Sequence, residues 1–157
     1  MKRIITLALS VIMVLSCVLA LSSCAANPKG KTYTISNIKL EWAKDTSDEK
    51  KKEVAKTVSE LLNDDSITEK NLLDKYADFL MEQAEKTSSL TDLVFSDDGK
   101  TVKVGGVEYN YTAEKGTVTL RGKVLDTEVM SLESKFGKLV KETKIDDLIH
   151  ITTYKKK

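Results

Sequence analysis

Residues 93–121 read LVFSDDGKTVKVGGVEYNYTAEKGTVTLR. Leu93 and Phe95 share one face of an extended chain, Val102 and Val104 a second, Val107, Tyr109 and Tyr111 a third, and Val118 and Leu120 a fourth. A period of two is the mark of a strand with one buried face. Between these segments stand Asp97-Asp98-Gly99, Gly105-Gly106 and Glu114-Lys115-Gly116. Asp-Gly and Gly-Gly pairs take the positive φ angles that tight hairpin turns need. The stretch therefore predicts a meander of four antiparallel strands.

Downstream, residues 123–144 admit two readings. Met130, Leu132 and Phe136 fit a strand face, whereas Val129, Leu132, Phe136, Leu139 and Val140 fit a helix face. Gly137 disfavours a helix interior by about 1 kcal/mol and suits a hairpin turn, which favours two strands. Leu148 to Tyr154 is β-branched and aromatic and reads as a closing strand.

Upstream, Tyr33 and Ile35, then Ile38, Leu40 and Trp42, alternate with polar residues and predict a first strand. The alternation slips at Ser36-Asn37, where a bulge is expected. Thr46 and Glu49 have the spacing of a capping box. Val54, Val58, Leu61 and Leu62 follow on one helical face, so a helix is expected from Ser47 to about Leu62, ended by Asn63-Asp64-Asp65. Ser66 and Glu69 repeat the cap spacing before the stripe Leu72, Leu73, Tyr76, Phe79, Leu80 and Ala84, a second helix to about Lys86. Each helix has one apolar face, and both must dock on the strands. The expected class is α+β: an antiparallel meander with an inserted helical pair.

The N-terminus has another composition. Lys2 and Arg3 precede an almost wholly apolar run from Ile4 to Leu21, and small residues lead to Cys24. That is the layout of a secretory leader. Leu21-Ser22-Ser23-Cys24 resembles a bacterial lipobox, which implies that residues 1–23 are a lipoprotein signal peptide and that Cys24 is lipidated. An uncleaved anchor, and a second lipobox ending at Cys17, are the competing readings. Two acyl chains on Cys24 would hold the protein stably at the cell membrane or envelope, outside the cytoplasm. Residues 24–31, small and polar with Pro28 and Gly30, read as a tether; residues 32–157 form one domain.

Cleavage before Cys24 leaves 134 residues with a net charge of −1 and no cysteine but the lipidated one. That length sustains a hydrophobic core without disulfides. Near-neutrality argues against a nucleic-acid partner, and a monomer is expected.

The lipobox, the first strand, the helical insertion, the run from Leu93 through Val107-Glu108-Tyr109-Asn110-Tyr111 to Val118-Thr119-Leu120, and the closing Thr152-Thr153-Tyr154-Lys155 together resemble the small bacterial lipocalin-like lipoproteins. The resemblance implies a small antiparallel barrel or half-barrel and carries over no binding residues.

No catalytic constellation stands out, so no enzyme and no cofactor is expected. His150, the one histidine, has no second ligand at metal-site spacing and no nucleophile beside it. Asp64-Asp65, Asp97-Asp98 and Asp146-Asp147 sit where turns or caps use aspartate for local hydrogen bonds, and none has the spacing of a calcium loop. Lys155–Lys157 would reach anionic lipid or simply be a solvated end. Trp42, Phe95, Tyr109 and Tyr111 are the candidate lining of a pocket for a small apolar ligand, and half-buried core is the competing reading. Two functions follow: a non-enzymatic module holding a small apolar ligand or envelope component, or a structural and protein-interaction module at the envelope.

Overall fold

The computed structural model describes residues 27–157; Cys24 and the leader lie outside them. In chain order the elements are β1 (Thr32–Trp42), α1 (Asp48–Leu62), α2 (Leu72–Lys86), the single turn α3 (Ser88–Thr91), β2 (Leu93–Phe95), β3 (Thr101–Val104), β4 (Val107–Glu114), β5 (Thr117–Arg121), β6 (Glu128–Lys135), β7 (Lys138–Ile145) and β8 (Leu148–Lys156). The strands close into an eight-stranded antiparallel barrel in which each strand pairs with its neighbours in sequence and β8 returns to β1.

The meander forms where the alternation places it. Residues 123–144 resolve in favour of strands: β6 and β7 are joined by Phe136-Gly137 at φ 51° and 77°. The first strand slips register between Ile35 and Asn37, and the Ser36 hydroxyl at the bulge donates to Thr153 O.

Closure is uneven. β1 pairs with β8 along its whole length but with β2 only at Thr32↔Val94 and Tyr33↔Leu93. The rest of that β1 edge is covered by α2. An open strand edge left bare would invite pairing with other chains, and a helix laid along it removes that hazard.

One cluster fills the barrel: Tyr33, Leu93, Phe95, Val102, Tyr111, Val118, Leu120, Leu132, Leu139 and Tyr154. Eight strands make an interior just wide enough for side chains to occupy. A second cluster of Ala55, Val58, Ile67 and Leu72, with Trp42, Val54, Leu62 and Tyr76 against it, belongs to the helices.

Two helix caps differ from the sequence reading. α1 is capped by Ser47, whose Oγ accepts from Lys50 N at 3.3 Å. The neighbouring Thr46 instead donates its hydroxyl to Asp147 O in the β7–β8 turn. α2 begins at Leu72, not just after Ser66. Asp64 Oδ1 takes the Ser66 amide and hydroxyl at 2.9 and 2.5 Å, and Asn71 Oδ1 takes the Thr68 amide at 2.7 Å. These side chains offer the backbone turns that compete with helix. The Lys75 amine and then Ser66 bond the Asp64 carboxyl and hold its pKa at about 2.

The segment read as a tether is held from Pro28 onward. Pro28 is fully buried, Gly30 N donates to Ser96 O at 3.1 Å, and Phe95 N donates to Lys31 O at 2.9 Å. Gly30 has φ 67°, a left-handed conformation that favours glycine, and a Cβ there would displace the Asp97 carboxylate, whose Oδ1 would stand 2.6 Å away.

Phe136 breaks a turn rule. It is 99% exposed, so it buries nothing, and it holds a left-handed φ that a bulky side chain resists. Asn-Gly is the favoured pair for such a turn. Phe136→Asn is expected to stabilise the protein by about 1 kcal/mol, seen as a higher urea midpoint with unchanged slope.

Candidate functional site

The most apolar cleft described lies outside the barrel, between α1 and the β7–β8 hairpin. Val54, Thr57, Val58 and Leu61 stand at successive turns of α1 and form one wall. Ile145, Leu148 and His150 form the other, and Tyr76 of α2 joins them. The space is about 630 Å³. Leu61 and Ile145, 67% and 51% exposed, remain open to solvent at its mouth. Lys50, Glu53, Asp146 and Asp147 give it a charged rim, with Lys50 and Glu53 paired at 2.8 Å. The Glu53 carboxylate raises the Lys50 pKa, and the two aspartates act in the same direction.

His150 is half-buried here, with its ring edge-to-face on Tyr76 at 6.4 Å. It sits opposite Leu40 on β1 and Thr143 on β7. Burial pushes its pKa below the ordinary histidine value, which favours the neutral ring. The cleft thus offers an apolar slot with a neutral imidazole that can donate or accept a hydrogen bond.

Of the four aromatic residues read as a pocket lining, Phe95, Tyr109 and Tyr111 gather on the cluster inside the barrel, and Trp42 does not join them. Phe95 and Tyr111 meet edge-to-face at 4.9 Å inside the barrel, with Tyr33 against Phe95 at 5.8 Å. Tyr109 packs on the same cluster and is partly buried. Trp42 sits with the helical cluster, and it lines a more charged cleft between β1 and α2 with Lys39, Glu41, Asp74 and Asp78.

Sequence reasoning missed the α1–hairpin cleft because its walls lie some ninety residues apart in the chain. The available signal was Leu61, which widens the apolar face of α1 beyond what one packing surface uses. Groups of three or more His, Cys, Asp or Glu placed to hold a metal ion are absent among the described residues. Compared with known proteins, the chain matches no family model, no curated protein and no solved structure.

Proposed function

We propose that this chain is an exported lipoprotein, anchored through an acylated Cys24, whose lipocalin-like barrel with its inserted helical pair is a non-enzymatic binding module at the cell envelope. It takes a small apolar group in the cleft between α1 and the β7–β8 hairpin. The observation that carries this reading is the pair of exposed aliphatic walls, Leu61 and Ile145, facing one space beside half-buried Tyr76 and His150. Solvated aliphatic side chains converging on a concavity with a few polar groups are the usual make-up of a small-molecule site. The side chains filling the barrel leave the apolar ligand a better place outside it.

A neutral apolar dye, Nile red, tests the site on the exported domain without its lipid. The native domain is expected to enhance and blue-shift the emission. Leu61→Glu, at a position exposed enough to leave the fold intact, is expected to weaken dye affinity about tenfold through lost apolar contact and an added charge. Equal binding by both proteins would place the apolar site elsewhere.

A further inference from the structure

We propose that the end of the barrel where the chain enters at Asn27 is a membrane-docking face, seated on an anionic bilayer with the Phe136 ring in the headgroup layer. The proposal rests on the lipid-anchored reading for bringing this end to a membrane; its own support is the placement of charge and of one aromatic ring.

An up-and-down barrel puts alternate turns at the same end. The turns at 96–100, 115–116 and 136–137 therefore share an end with the start of β1 and the finish of β8. The backbone ties this end together: Gly30 N donates to Ser96 O, and Lys157 N donates to Thr32 O. Everything before Asn27, including Cys24, joins the domain here.

The two ends differ in charge. Segments 27–31, 96–100, 114–117, 135–138 and 155–157 carry nine lysines against three carboxylates, Asp97, Asp98 and Glu114. At the other end, segments 43–47, 105–106, 122–127 and 146–147 carry two lysines against four aspartates. Of the nine lysines, Lys135 pairs with Glu133 and Lys157 with Asp92; among the described residues the other seven form no direct ion pair, though Lys100 and Lys29 act on Asp98 from a distance. Residues 43–92, which hold the three helices, carry eight lysines against thirteen acids, and one of those acids, Asp92, meets Lys157 at the lysine-rich end.

Phe136 decides the kind of partner. A lysine crown alone would serve any polyanion. A fully exposed aromatic ring at the tip of a hairpin, held there at a conformational cost and contributing no burial, suits the membrane interface, where such rings settle at headgroup level. Lysines around it gain from anionic headgroups within a Debye length.

Trp42, near the far end of β1, is a built-in reference for the experiment. The full chain and its Phe136→Trp variant are placed in phosphatidylcholine vesicles with and without phosphatidylglycerol, and emission is quenched by brominated acyl chains. In phosphatidylglycerol vesicles the emission added by Phe136→Trp is expected to fall at least about twofold while Trp42 is untouched. Added salt, or Lys115→Glu with Lys138→Glu, is expected to reverse most of that quenching. If the added tryptophan is quenched no more than Trp42 in either vesicle, the docking face is wrong. Quenching unaffected by salt and by phosphatidylglycerol would equally remove the anionic-lipid assignment. The intact mass of the same preparation separates the two proposals. Acylated protein without quenching overturns the docking face alone; quenching by protein that lacks the acyl groups overturns the anchor alone.

Discussion

Leu93→Ala should lower the unfolding free energy by about 3 kcal/mol or more, while Val94→Ala next to it changes it by no more than about 0.5 kcal/mol. The two residues share a strand of three and have similar chemistry. Leu93 is 0% exposed and Val94 is 45% exposed, because successive side chains point to opposite faces. Leu93 also stands at the narrowest join of the barrel, opposite Tyr33 on β1 and Val104 on β3. The β1–β2 contact is two residue pairs long. Truncating Leu93 leaves a cavity where few other interactions hold the strands together, and small domains are stable by only about 5–15 kcal/mol in total. Urea unfolding followed by far-ultraviolet circular dichroism measures both variants. Equal costs would mean that β2 does not present alternate faces to core and solvent, and the interior described above would be wrong.

The strands were legible because their information is local. Val102 and Val104 state a face, Gly105-Gly106 states a turn, and neither depends on distant residues. Closure was not legible. The pairing of β1 with β8 joins residues more than a hundred positions apart, as in Leu40↔His150, and nothing in either strand names the other. The same reason hid the cleft: α1 supplies Val54 and Leu61, and β7 and β8 supply Ile145 and Leu148 from the other end of the domain. The sequence reading places Trp42 with Phe95, Tyr109 and Tyr111 in one candidate lining. The Ser36 bulge and the long overhang of β1 beyond β2 carry Trp42 past the barrel to the helices instead. The start of α2 was misplaced for a different reason. Ser66 and Glu69 have capping spacing, but Asp64 captures the Ser66 hydroxyl and Asn71 closes its own turn first. Spacing alone does not show which local hydrogen bond wins.

The helices pose the sharper question of whether they belong to the barrel's cooperative unit. Leu72→Ala is expected to cost about 3 kcal/mol, but with a different pattern from Leu93→Ala. Leu72 is 0% exposed at the start of α2 and packs with Ala55, Val58 and Ile67, a cluster separate from the one inside the barrel. The apolar faces of short helices supply most of their stability, so a cavity there falls on α1 and α2 first. Amide hydrogen exchange should show α1 and α2 losing protection by up to about a hundredfold while β4, β5 and β6, which do not touch that cluster, keep theirs. Because α1 is one wall of the cleft, Nile red binding should fall with the helical protection in Leu72→Ala. It should persist in Leu93→Ala for as long as that variant stays folded. Uniform loss of protection across helices and strands would show a single cooperative core. The cleft would then be as rigid as the barrel, and its ligand would have to enter without any local opening of α1.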